Sequence, residues 1–362
     1  MGESEDILVP RDSKGTIKQT SYFISFHLSD LWFLLNVLRL THLLKNTIQY
    51  GLGLLEIMAE SVSTQTTKRF AVVTGANKGI GFEVVRQLAS KQVLVVLTAR
   101  DEKRGLEAVE KLRADGLSDY LLFHQLNVTD PESIASLADF VQLKFGKLDI
   151  LVNNAGIGGV VVDVEAFKAI AHAAHEPGGA AKVDWSKITS QPYEAAAECL
   201  QTNYYGVKRV TAALLPFLQL SDHPIIVNVS SSMGKLKNIP SERIRRILDD
   251  IENLNKDKLD ELLEDFLKDS KDGVLESKGW PMHMGAYTVS KAALNAYTRI
   301  LAKKYPNVCI NSVCPGYVKT DINFNTGILS VEEGAASVVR LAFLPKGAPS
   351  GCFFVRQEES DF

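Results

Sequence analysis

Thr74-Gly75-Ala76-Asn77-Lys78-Gly79-Ile80-Gly81 follows a short β-branched run at 69–74 and opens a stretch with apolar residues at helical spacing. A strand that runs through a glycine-rich turn into a helix is the entry of a nucleotide-binding βαβ unit. Gly75 permits the tight turn, Gly79 lets a pyrophosphate approach the main chain, and Gly81 lets the helix pack closely on the strand. The helix N-terminus adds attraction for the anion. Taken alone such a turn is weak, because glycines at strand–helix turns also serve structure only. Its setting decides.

Outward from the turn, strand and helix signals alternate. Val84, Val85, Leu88 and Ala89 predict a helix over 79–90. Val93–Thr98 is apolar on both faces, as a strand buried in a parallel sheet must be. A polar helix is predicted at 101–114 and a strand near 120–125. Asp130-Pro131-Glu132 opens another helix, with Asp as N-cap and Pro in the first turn. Further strands are predicted at 149–153, 224–230 and 308–313, with a seventh candidate at 353–355. This alternation predicts an α/β fold, a Rossmann-type doubly wound parallel sheet in a single domain spanning 67–362. Insertions at about 158–190 and 238–278 break the rhythm. The second carries two amphipathic stripes: Ile244, Ile247, Leu248 and Ile251, then Leu259, Leu262, Leu263, Phe266 and Leu267. Their spacing predicts a helical hairpin laid against the domain. Both insertions leave the carboxyl ends of strands, where open parallel sheets bind ligands, so both are candidate pocket walls or lids.

Residues 1–66 do not share this pattern. They are rich in Leu, Ile and Phe at 22–57, but the longest unbroken apolar run is Leu31–Leu35. A spanning helix needs about 20 such residues, and no secretory pattern is present. Met58 begins a short polar lead into the first strand. We read 1–66 as an N-terminal extension outside the fold; a peripheral helix or a targeting segment are the alternatives. A formal net charge of −3 without a basic block argues against nucleic acid as a partner. Cys199, Cys309, Cys314 and Cys352 have neither metal-ligand nor redox spacing, which fits reduced thiols in the cytoplasm. His172 and His175 lack companion ligands, so no metal is expected.

Tyr287 and Lys291, in Gly-Ala-Tyr-Thr-Val-Ser-Lys, are four residues apart and share a helix face. A phenol and an ammonium can then address one reacting centre. The ammonium is expected to lower the phenol below its ordinary pKa of about 10. A nucleotide turn with a tuned proton donor points to hydride transfer to a carbonyl. NAD sites place an acid at the end of the second strand; here that strand ends Leu97-Thr98-Ala99-Arg100. Arg100 and Lys78 favour a 2′-phosphate, hence NADP(H), with Asp101 as the contrary feature.

These residues, with Asn153-Asn154-Ala155-Gly156, Asn203, the serines at 230–232 and Pro315-Gly316, resemble the short-chain dehydrogenase/reductase family over roughly 69–357. Gly279-Trp280-Pro281 and the long insertion before the tyrosine are similar to its plant monomeric branch of terpenoid and alkaloid ketone reductases. The resemblance implies Tyr287 as general acid, Lys291 as its partner on the nicotinamide ribose and Ser231 as holder of the substrate oxygen. It implies Asn203 as the residue whose main chain holds a relay water. It implies cofactor contacts from Thr74, Asn77, Ile80, Asn127, Val128, Asn153, Ala155, Gly156, Pro315, Gly316, Val318 and Thr320. The partner would be a small ketone or alcohol. Asn127 departs from the aspartate common at its position, so an altered adenine contact is expected. Ser231 and Tyr287 are also unusually far apart in sequence, an insertion that in related reductases covers a dimerisation face and implies a monomer. An enone double-bond reductase and a non-catalytic nucleotide-binding protein are the competing functions.

Overall fold

The computed structural model describes residues 68–168 and 188–362. The readings of 1–66, Met58, His172 and His175 lie outside the described residues. Strand β1 is Phe70–Val73, and helix α1, Gly79–Ala89, follows the glycine turn. Then come β2 (Leu94–Ala99), α2 (Glu102–Leu112), β3 (Leu121–Gln125), α3 (Pro131–Lys144) and β4 (Ile150–Asn153). Asp101 and Asp130 cap α2 and α3 by accepting from the Arg104 and Glu132 amides.

Beyond β4 a two-stranded antiparallel ribbon pairs β5 (Val161–Val162) with β6 (Thr189–Ser190). Helix α4 (Tyr193–Leu200) continues through a π-helical turn, Gln201–Gly206, into α5 (Val207–Leu218). Next are β7 (Ile225–Val229), α6 (Glu242–Asp249), α7 (Lys256–Lys271) and the 20-residue α8 (Gly285–Lys304). The chain ends with β8 (Cys309–Cys314), α9 (Val331–Ala342), β9 (Phe353–Val355) and β10 (Glu358–Ser360).

The main sheet has the order β10-β9-β8-β7-β4-β1-β2-β3. All its pairings are parallel except β9 with β10. The sheet is covered on both faces. One core layer includes Leu137, Val210, Leu214 and Leu294; the other includes Val84, Leu88, Val109 and Val338. The order reverses between β1 and β4, the switch point where such sheets open a ligand crevice beyond their strand ends.

The predicted strands and helices are present, and two features differ from the sequence reading. Glu358–Ser360 forms an unanticipated antiparallel edge strand; its acidic residues carry no strand signal, and pairing with β9 overrides that. The second insertion forms the two expected helices, but they pack as core rather than as a pocket wall. Ile244, Leu248, Leu259, Leu263 and Phe266 are buried in the layer that holds α8. Trp280 is also buried there, its ring T-stacked on Phe266 at 5.1 Å and its indole N–H bonded to Asp269 at 2.8 Å. None of the residues 238–278 lines the large cavity described below.

Candidate active site

A cavity of about 1410 Å³ opens at the switch point. Drug-sized ligand pockets run to about 1,000 Å³, so this one has room for a dinucleotide and a second molecule. Its floor is the glycine turn. Gly75 and Gly79 take φ values of +62° and +59°, which side chains rarely adopt. The turn is bolted to the end of β4. Thr74 Oγ1 accepts from the Asn154 and Ala155 amides at 3.0 Å each, and Asn154 Nδ2 donates to the Thr74 and Gly75 carbonyls at 2.9 and 3.0 Å.

Helix α1 opens at this turn without a side-chain cap and without an acid in its first turn. Gly79, Ile80 and Gly81 of its first turn line the cavity, and among the described residues no side chain caps it, in contrast to α2 and α3. Left-handed glycines and uncapped amides fit a dinucleotide pyrophosphate.

Asn77, Lys78, Gly79, Ile80, Gly81, Arg100, Asn127, Val128, Ala155 and Gly156 line the cavity, as do Pro315, Gly316, Val318, Thr320, Ser231, Tyr287 and Lys291. Three of the expected residues stand behind its wall. Thr74 is buried and holds the turn. Asn153 is buried too, donating to Thr211 Oγ1 at 3.1 Å and Asn228 Oδ1 at 2.9 Å, so it braces the sheet and does not reach the cofactor site. Asn153 is expected as a cofactor contact; successive residues of a strand point to opposite sides, and it is Asn154 that lines the cavity and reaches the turn. Asn203 is the third, fully buried beside the site.

At the adenosine end, Asp101 also lines the cavity, with one carboxylate oxygen accepting from the Arg104 amide as the cap of α2. Arg100 is exposed on the cavity rim, joined by Arg104, which sequence reading did not single out. The signal for Arg104 was its position one helical turn beyond Arg100. Lys78 Nζ is paired with Asp321 at 2.5 Å, linking the glycine turn to the segment after β8. The Asn127 carboxamide accepts from the Thr129 hydroxyl at 2.9 Å.

At the other end stands α8. Its first turn is held by Gln191, whose Oε1 accepts from the Ala286 amide at 2.8 Å. Tyr287 is half-buried against the cavity and Lys291 is buried behind it. The Lys291 ammonium donates to the Val229 carbonyl at 2.8 Å and lies 5.6 Å from the centre of the Tyr287 ring. Ser231 caps a short 3₁₀ turn, Ser232–Gly234, that presses on α8. A Cβ on Gly234 would sit 2.6 Å from the Lys291 carbonyl carbon, so only glycine lets this turn come so close.

Burial pushes the Tyr287 hydroxyl well above the usual phenol range, and the neighbouring Ser231 hydroxyl opposes that rise. Burial pulls Lys291 down to about 8. The expected lowering of the phenol by the ammonium is therefore overturned in the protein alone. Desolvation, which disfavours both charged forms, is the largest influence on each group. Tyr287 is thus a neutral O–H donor at pH 7.

Asn203 lies in the π turn between α4 and α5. Its side chain clamps Ile157 from both sides: Oδ1 accepts from the amide and Nδ2 donates to the carbonyl, each at 2.9 Å. Nδ2 also reaches Ser290 Oγ at 3.1 Å, and Ser290 Oγ donates to the Tyr287 carbonyl at 2.7 Å. The site's apolar side includes Val160, Val162, Phe167, Met233, Met284 and Phe324. The Phe167 and Phe324 rings meet edge-on at 5.5 Å, joining the first insertion to the segment after β8. Among the described residues no helix is long and apolar enough to cross a membrane, and no cluster of acids, histidines and cysteines forms a metal site.

A glycine turn at the switch point, with a serine, tyrosine and lysine converging across one cavity, defines a class of oxidoreductases. The chain belongs to the short-chain dehydrogenase family. The family model described as short chain dehydrogenase matches residues 69–241, and one described as enoyl-(acyl carrier protein) reductase matches residues 273–349. Similar relatives include the (+)-neomenthol dehydrogenase of Arabidopsis thaliana, 57% identical over 82% of this chain and 99% of that one. The (-)-isopiperitenone reductase of Mentha piperita is 53% identical over 80% of this chain and 97% of its own. The solved structure of salutaridine reductase from Papaver somniferum superposes with a TM-score of 0.74 at 49% identity, covering 80% of this chain and 99% of that one.

Proposed function

We propose that the protein is an NADPH-dependent reductase of a bulky apolar ketone, of the terpenoid or alkaloid kind, working reversibly as an alcohol dehydrogenase. One observation carries the reading: Ser231, Tyr287 and Lys291 line the same cavity as the uncapped glycine turn. Names of the plant relatives support the substrate class. Arg100, exposed on the cavity rim at the end of β2, supports a 2′-phosphate; Arg104 beside it is paired with Asp101, and Lys78 with Asp321.

Bound NADPH supplies the hydride. The chain supplies the rest. Ser231 and Tyr287 hold the carbonyl oxygen as donors, an arrangement that favours the charge developing there. Tyr287 then gives its proton to the forming alkoxide as general acid. Its raised pKa keeps it protonated before that moment. Lys291, charged below about pH 8, steadies the phenolate left behind. Asn203 fixes Ile157 beside the site from a π turn, and by the family resemblance its main chain holds a relay water. Apolar residues of the first insertion and of the segment after β8 exclude bulk water.

The insertion helices cover α8, which supports a monomer. Four unpaired cysteines support a reducing, cytoplasmic setting. Residues 1–66 are read as an extension outside the fold, so a chain starting at Met58 is expected to remain active. The test is a panel of cyclic ketones and enones with NADPH absorbance and product analysis. An alcohol product is expected. A saturated ketone from an enone, or no NADPH oxidation by any member, would overturn the reading.

A further inference from the structure

The π turn that carries Asn203 has two sides. On the cavity side, Thr202 lines the wall and Asn203 clamps Ile157. On the other side, Tyr204 points away, fully buried, its ring edge-on to Tyr297 of α8 at 5.8 Å and to Tyr205 at 5.0 Å. Its hydroxyl donates to Asp260 Oδ1 at 2.9 Å. Asp260 belongs to α7, within the insertion, and its other oxygen is paired with Lys208 of α5. One carboxylate from the insertion thus grips both the π turn and the helix that follows it.

π turns are uncommon and recur at functional sites, so what holds this one in place bears on the site. A phenol O–H on a carboxylate is a charge-assisted bond, stronger than a neutral pair. The insertion has other anchors: Trp280 on Asp269, Arg299 on Asp249 and Lys303 on Glu252. The Asp260 contact differs because it ends one residue from Asn203.

We propose that Asp260 is a positioning residue: through Tyr204 it holds the π turn in register, so that Asn203 keeps Ile157 and its own main chain in place. The insertion then completes the site from behind without touching the substrate. This rests on the ketone-reductase reading above, and its test is built to separate the two.

Asp260→Ala, Asp260→Asn and Tyr204→Phe are compared with the parent chain. Asparagine keeps an acceptor for the Tyr204 hydroxyl. Hydrogen exchange of the Ile157 amide and of amides 201–206 is expected to quicken in Asp260→Ala and Tyr204→Phe, to stay near parental in Asp260→Asn, and to leave the β1 and β2 amides unchanged. In ketone reduction, kcat is expected to fall between about tenfold and a hundredfold in the first two, the scale of a small misplacement. The KM for NADPH should move less than about twofold, and the double variant Asp260→Ala/Tyr204→Phe should be no worse than either single change. Unchanged exchange at Ile157 and 201–206 overturns the proposal whatever the activity. Quickened exchange with parental kcat overturns it too, provided Tyr287→Phe abolishes turnover. If Tyr287→Phe leaves turnover intact, the functional reading falls, and the exchange result alone decides the role of Asp260.

Discussion

The Lys291 ammonium lies 5.6 Å from the centre of the Tyr287 ring and is hydrogen-bonded to the Val229 carbonyl at 2.8 Å. That bond ties the middle of α8 to the end of β7, the strand that leads into Ser231. The Lys291 side chain thus links the helix that carries Tyr287 to the strand end that carries Ser231.

A pH dependence follows from the buried ammonium. Lys291 titrates near 8, below its ordinary 10.5, because burial disfavours its charge. The proton is present below pH 8 and lost above it. Tyr287 remains protonated across this range. The kcat/KM for NADPH, which reports the free enzyme, should be level from pH 6 to 7 and fall through about pH 8. A profile flat to pH 9.5 would show that Lys291 is not held this way.

Arg100 is exposed at the adenosine rim and forms no ion pair among the described residues. Arg100→Ala should raise the KM for NADPH about tenfold, the loss of one charge-assisted contact of roughly 1.5 kcal/mol. The KM for NADH should stay within about twofold. Equal effects on both nucleotides would remove the 2′-phosphate from the argument.

Gly234 bears on stability and rate together. An added Cβ would meet the Lys291 carbonyl carbon at 2.6 Å and the Ala292 nitrogen at 2.8 Å, both main-chain atoms that cannot turn aside. Gly234→Ala should destabilise the fold by about 1–3 kcal/mol in urea denaturation. It should also lower kcat, because the turn capped by Ser231 must shift. A variant with parental stability and kcat would mean that the turn has slack.

Much of the sheet was legible because its strands carry β-branched, two-faced apolar runs such as Val93–Thr98, and its helices carry period-3.6 stripes. The glycine turn was legible through its residues and spacing. What stayed hidden depends on three-dimensional context. Asn153 and Asn154 are chemically identical, and only the pleat of β4 decides which one reaches the turn. Asp101 stands as the feature contrary to NADP(H), and its capping bond to α2 shows only in the fold. The balance of charge between Tyr287 and Lys291 follows from their burial, which spacing does not reveal. Asp260 and Tyr204 are 56 positions apart and meet only because the insertion folds onto α4 and α8. The helical stripes at 244–267 were plain, but their face could equally have walled the cavity.

The central claim is that one phenolic proton, on Tyr287, completes ketone reduction. Tyr287→Phe removes that hydroxyl and keeps the ring. NADPH binding by fluorescence titration should stay within about twofold of the parent, while kcat for ketone reduction falls by at least about a hundredfold, the lower bound of a general acid's contribution. Near-parental turnover in that variant, with NADPH bound normally, would contradict the account.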